Sequence, residues 1–185
     1  ISTVSYEFSA NGVVQAIPEV VDAVEEQAID AIFLTSDTTG ALPLFAQLLP
    51  ENGLSTDNVQ LIGMTRWDTP SQTLEQPGLQ GGWFALPDPS ATASFESRFQ
   101  AAYGEAPHVL GFLAYDAVRL AIEASASTGR LGPSDLVAAS GFNGGGGVFR
   151  LNGDGTTSRG LAVASIIENQ VSIVDPAPAG RGPGL

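Results

Sequence analysis

Two short polar stretches carry the functional groups that could hold a small molecule. Ser36-Asp37-Thr38-Thr39-Gly40 supplies a carboxylate and three hydroxyls, and Thr65-Arg66-Trp67-Asp68-Thr69-Pro70 supplies a guanidinium, an indole, a carboxylate and two hydroxyls. This is the chemistry of hydrogen bonding and ion pairing, not of bond making. Catalytic patterns do not assemble. His108 is the only histidine, and no G-x-S-x-G elbow accompanies it. One histidine among scattered carboxylates has no metal-ligand spacing. Cysteine is absent, which removes thiolate zinc sites, disulfides and a cysteine nucleophile. Gly144 to Gly147 do not follow a strand and open a helix, so they are not a phosphate cradle but a flexible lead into a hairpin. Asn152-Gly153-Asp154-Gly155 lacks the remaining ligands of an EF-hand loop and reads as a turn. Neither a cofactor nor a metal is expected.

The elements around the two stretches must place them. Thr3 to Phe8 suits a strand, Asn11-Gly12 a turn, and Val14, Ile17, Val20, Val21, Val24 and Ala28 make one apolar stripe of a helix, with Pro18 arguing for a late start. Ala31 to Thr35 is a continuous apolar run, the mark of a strand buried on both faces. Leu42, Leu44, Phe45, Leu48 and Leu49 form the next helix, and Val59 to Met64 the next strand. Gly81 to Ala85 is a third such strand, and Asp88-Pro89 caps a helix that Gly104 stops. A helix over 109–125 presents Leu110, Leu113, Ala114, Ala117, Val118, Ala121 and Ile122, and Ser134 to Ala139 is a short one. Val148 to Leu151 and Leu161 to Ile167 read as the arms of a hairpin, followed by a strand over Val171 to Val174. The tail from Pro176 to Leu185 is rich in Pro and Gly and reads as loose. This order predicts an α/β fold: an open parallel sheet with helices on both faces, ending in a β-hairpin or meander. Ligands bind outside the carboxyl ends of strands in such sheets, which is where both polar stretches fall.

The 185 residues are 43% hydrophobic and 15% charged, enough apolar content to bury a core. Net charge is −13, and all seven basic residues are arginine. That balance argues against nucleic acid and against anionic membrane faces as partners. The chain opens at Ile1 without an initiator methionine, which points to a fragment or processed product.

The ordered strings Asp30-Ala31-Ile32-Phe33-Leu34-Thr35, Leu61-Ile62-Gly63, Gly81-Gly82-Trp83-Phe84-Ala85, the F-x3-F-x3-YG run of Phe95 to Gly104, Ala114-Tyr115-Asp116-Ala117 and Gly141-Phe142-Asn143-Gly144 resemble the Leu/Ile/Val-binding family of type I periplasmic binding proteins. The resemblance covers roughly Ser5 to Pro176. More narrowly, Thr35 to Pro43, Leu48 to Leu54, Thr65 to Asp68, Trp83 to Pro89 and Asp175-Pro176-Ala177-Pro178 are similar to the penicillin-binding protein activator, or LppC-like, lipoproteins.

The resemblance implies a lobe divided as 1–87 for the second-lobe α/β core, 88–140 for helices crossing to a partial first lobe, 141–175 for the closing hairpin and strand, and 176–185 for the tail. It implies a non-enzymatic protein of the Gram-negative periplasm, with the N-terminal part of the same protein missing and a lipoprotein anchor at that missing end. It implies capture of a small polar solute such as an amino acid for an ABC permease or for sensing. The narrower resemblance implies instead a scaffold that regulates a peptidoglycan synthase. Carried over by position, the ligand contacts are Ser36, Asp37, Thr38, Thr65, Arg66, Trp67 and Asp68. Asp37 or Asp68 would accept from an ammonium, Arg66 would clamp a carboxylate, and Trp67 would stack on the ligand or wall it in. The first loop has Ser, Asp and Thr where branched-chain binders have aromatics, which disfavours an apolar amino acid. The same residues also suit other duties: Ser-Asp-Thr caps a following helix, Arg66 pairs with Asp68, and Trp67 and Trp83 pack in a core or hinge.

Overall fold

A computed structural model describes residues 1–126, 129–137 and 140–180. Helix α1 (Ala10–Gln27) is started by Ser9, whose hydroxyl accepts the Gly12 N–H at 3.0 Å. Asn11-Gly12 is thus the first helical turn, not a loop, and the helix does not begin late. Pro18 sits inside it and leaves the Val14 carbonyl without its helical donor. Val14 itself is exposed. The expected strand over Thr3 to Phe8 is irregular chain with no strand pairing, bending at Phe8; its Tyr6 ring meets Phe45 edge-on at 5.2 Å.

Strands β1 (Ala31–Leu34), β2 (Gln60–Gly63) and β3 (Trp83–Pro87) are parallel, with Ile32 opposite Leu61 and Gly63 opposite Phe84. Helix α2 (Ala41–Glu51) connects the first two and buries Leu42, Phe45, Ala46 and Leu49, and α1 packs against it. Two 3-10 turns, Ser71–Glu75 and Pro77–Leu79, link β2 to β3.

The later elements are α3 (Pro89–Tyr103), α4 (Gly111–Ser125), α5 (Pro133–Leu136), β4 (Phe142–Gly144), β5 (Gly147–Leu151), β6 (Thr157–Arg159), β7 (Leu161–Ile167) and β8 (Gln170–Asp175). Residues 138 and 139 of the expected short helix, and 181–185 of the tail, lie outside the described residues. Asp88 caps α3 as the sequence predicts, accepting Ser90 N–H at 2.8 Å. The main sheet runs β1-β2-β3-β7-β8, and the parallel-rich α/β architecture matches the expected fold class. The hairpin is different from the expected one. Val148 to Leu151 lie in β5, which pairs with β6, and β7 leaves to join β3. The Gly81 N–H bonds the Ile166 carbonyl at 2.7 Å there. Ala162, Ala164, Ser165 and Ile166 are all buried, which suits an inner strand and not a solvent-facing hairpin arm. Glu168 and Asn169, at φ 52° and 62°, make the two-residue turn between β7 and β8.

The chain forms two compact units, Ile1–Ala85 with Val163–Val174, and Leu86–Ala162 with Asp175–Leu185. In the second, Leu120, Phe142 and Phe149 form the core. Helix α4 buries Phe112, Asp116 and Leu120, whereas Leu110 (preceding it), Leu113, Val118 and Ile122 of the expected apolar face are exposed. Asp116 is the reason for this orientation: its carboxylate receives Arg159 Nη1 at 2.8 Å and the Gly145 N–H, and the guanidinium lies over the Phe149 ring at 4.7 Å. Gly144 to Gly147 are the tight turn between β4 and β5, not a flexible lead. A Cβ on Gly144 would stand 2.2 Å from Asp116 Oδ1, and one on Gly146 2.5 Å from the Phe112 ring.

Candidate functional site

The parallel register ends β1 and β2 side by side, so the loops that follow them are neighbours. Thr65 Oγ1 donates to the Ser36 carbonyl at 3.2 Å and joins the two loops directly. Ser36 itself is 2% exposed, and its hydroxyl has no hydrogen-bond partner among the described residues.

Asp37 is committed to the helix behind it. Its Oδ1 accepts the Ala41 N–H at 3.1 Å and its Oδ2 accepts the Thr39 hydroxyl at 2.9 Å. The Ala41 N–H first, then the Thr39 hydroxyl, hold the Asp37 carboxyl below its ordinary range, so it is an anion at neutral pH. Asp37 thus serves the first turn of α2 from three residues before its nominal cap, Gly40, which has no side chain to do so. Thr38 is half-buried beside it.

In the second loop, Arg66 and Asp68 pair through two contacts, one of them Nε to Oδ1 at 2.9 Å. Both side chains are partly buried, at 32% and 16% exposure. The guanidinium is therefore held in position by a neighbour two residues away. Trp67 points the other way. It is fully buried, stacks on Phe84 at 5.8 Å and abuts Gly63 and Gly82. The stacking or walling role expected for Trp67 is corrected: the indole anchors the loop from beneath and has no surface for a ligand. Of the seven expected contacts, Asp37, Thr38, Thr65, Arg66 and Asp68 remain at least part-exposed at the two loop ends.

Tyr6 was not legible as part of this region. Burial, and next the Asp37 charge, push its hydroxyl above the ordinary tyrosine range, so it lies within the field of the first loop. No pattern in residues 1–8 signals this. Elsewhere, Asn152 to Gly155 form a turn in which Asp154 accepts the Thr156 N–H at 2.9 Å, and His108 Nδ1 accepts the Leu110 N–H at 3.2 Å. Among the described residues, no group of three or more His, Cys, Asp or Glu could hold a metal, and no helix is long and apolar enough to cross a membrane.

A family model described as periplasmic binding protein matches residues 3–170. No curated protein matches the chain. A solved structure from Rhodospirillum rubrum, described as a branched-chain amino acid ABC transporter, is 22% identical with a TM-score of 0.66, over 85% of this chain and 48% of that one. A branched-chain amino acid ABC transporter periplasmic ligand-binding protein from Burkholderia xenovorans is 16% identical with a TM-score of 0.64, over 98% and 50%. An ABC transporter solute-binding protein from R. palustris, solved with benzoate, is 17% identical with a TM-score of 0.54, over 90% and 49%. At these identities the likeness is one of fold, and the 185 residues span about half the length of each of those chains.

Proposed function

The chain belongs to the periplasmic binding protein family, and from that premise we propose that it supplies one face of a site that captures a small carboxylate-bearing solute, an amino acid first among them. The observation that carries the reading is the Thr65–Ser36 link, which brings two polar loops together at the carboxyl ends of adjacent parallel strands. That is where open α/β sheets hold ligands. Arg66 is the only cation in the two loops; a guanidinium suits a carboxylate bidentately, and Asp68 keeps it oriented. Asp37, held ionised, attracts an ammonium. Solved relatives are described in complex with isoleucine, benzoate and 4-hydroxybenzoate, all of which carry a carboxylate.

On this reading the protein works in the periplasm, makes no covalent change to its ligand and hands it to an ABC permease when two lobes close about a hinge. The rival reading, a regulator of a peptidoglycan synthase anchored as a lipoprotein, rests on sequence strings alone. Calorimetric titration with leucine, aspartate and benzoate tests the proposal. Binding by at least one of them that is lost in Arg66→Ala and kept in Arg98→Ala is the expected result. No heat from any of them, or binding indifferent to Arg66, contradicts it.

A further inference from the structure

Two arginines on successive helices converge on one phenol. Arg98 of α3 donates from Nη1 to the Tyr115 hydroxyl oxygen at 3.0 Å, and Arg119 of α4 does the same at 3.3 Å. Their guanidiniums lie 5.4 and 5.9 Å from the centre of the Tyr115 ring. Tyr115 and Arg119 share a helix face, and a second bond from Arg98 Nε to the Ser94 carbonyl at 3.1 Å steadies Arg98. The half-buried Tyr115 ring packs on the buried Phe95 at 5.2 Å, while both arginines are exposed. Arg66 and Arg159 face Asp68 and Asp116, but among the described residues no carboxylate pairs with Arg98 or Arg119. One guanidinium on the ring is enough to clamp α3 to α4. The second adds like-charge repulsion with no counter-charge beside it, although the chain has 20 acidic side chains and a net charge of −13. The two N–H donations also occupy the lone pairs of the phenol oxygen, so its O–H is left only to donate. The Arg119 bond first, opposed by burial and joined by the Arg98 bond and both charges, draws this hydroxyl below the ordinary tyrosine range, which makes it a stronger donor.

We propose that Arg98, Arg119 and the Tyr115 O–H form a binding site for a phosphate dianion, either inorganic phosphate or the terminal phosphate of a small monoester. Such a group carries about −1.5 to −2 charge at neutral pH and three acceptor oxygens, which match two guanidiniums and a phenol. A carboxylate brings one charge and two oxygens, and leaves one of the three donors unmet. Planar guanidinium forks suit phosphate oxygens. The net negative charge of the chain repels an anion at range, but salt screens that repulsion beyond about 8 Å at physiological ionic strength, so recognition is by contact. The site lies within Leu86–Ala162. It uses no residue of the two polar loops and does not rest on the solute-binding reading.

The test titrates the 185-residue chain with inorganic phosphate, starting from phosphate-free buffer and holding ionic strength constant. Arginine Nε–Hε and tyrosine ring NMR signals are the readout, since seven arginines and three tyrosines are few enough to assign one by one. The expected result is saturable shifts at Arg98, Arg119 and Tyr115 with roughly millimolar half-saturation, and acetate at least about tenfold weaker. Arg98→Gln and Arg119→Gln should each weaken phosphate binding at least about tenfold, and Tyr115→Phe, which keeps the ring on Phe95, about tenfold. Glycerol 1-phosphate separates the two sources: binding tighter than that of the inorganic ion assigns the site to a monoester, and weaker binding assigns it to the free ion. Three results overturn the proposal: no saturable shift at tens of millimolar phosphate, acetate binding as tightly as phosphate, or shifts spread over all the arginines and unchanged in Tyr115→Phe and Arg119→Gln.

Discussion

Thr65 and Ser36, 29 residues apart, are joined by one hydrogen bond from the Thr65 hydroxyl to the Ser36 carbonyl. The bond fixes the separation of the two loops that end β1 and β2. Thr65→Val keeps the shape and removes the donor. It should cost about 1 kcal/mol in urea unfolding, and it should weaken solute binding more than it weakens the fold, because the loops then move independently.

Asp37 gives the chain a defined acid dependence. Its folded carboxyl is held below its ordinary 3.8 by the Ala41 N–H first and the Thr39 hydroxyl next. A depressed folded pKa means that the unfolded chain binds more protons in that window, so stability rises with pH there. The contribution is complete above the unfolded value and is lost as pH falls through the folded one. Carboxyl NMR titration should show Asp37 titrating below its ordinary 3.8, and Asp37→Asn should lessen the fall of the urea midpoint as pH drops below that value.

The Asp116–Arg159 pair makes a sharper stability prediction. Asp116 is 3% and Arg159 17% exposed by side chain. Asp116→Ala leaves a guanidinium between Phe112 and Phe149 without its counter-charge, at a cost of about 3–5 kcal/mol. Asp116→Asn, which keeps an acceptor for the Gly145 N–H, should cost less. Thermal and urea unfolding of both variants rank them.

Trp67 packs so closely that Gly63 has no room to grow. A Cβ on Gly63 would stand 2.3 Å from the indole, which Phe84 stacks against. Gly63→Ala should destabilise by about 1–3 kcal/mol and shift tryptophan emission to the red as the ring is displaced.

The two strands before the site were readable because their signals are local: the apolar runs at 31–35 and 59–64 contain β1 and β2, and the polar residues after them are where those strands end, but the expected burial of the first run on both faces does not hold, since Ala31 and Phe33 are exposed. The cap at Asp88 was readable for the same reason. Helix α4 was not. Apolar residues surround it on more than one side, since Phe112 and Leu120 are as apolar as Leu113 and Ile122, so periodicity alone does not select the buried face. An aspartate settles it by pairing with an arginine 43 residues later, which no local pattern contains. Residues 3–8 have strand composition, but composition supplies no hydrogen-bonding neighbour. Trp67 read more readily as core or hinge packing than as a ligand wall, and its full burial against two glycines agrees with core.

The central claim is that the paired loops hold a carboxylate-bearing solute. Amide chemical-shift mapping of the 185-residue chain titrated with leucine, aspartate and benzoate tests it most directly, because it detects the weak binding that a single face of a cleft retains. The account predicts saturable shifts confined to residues 36–40 and 65–68, abolished by Arg66→Ala. Saturable shifts elsewhere with these loops silent, or no shifts at millimolar ligand, would contradict it.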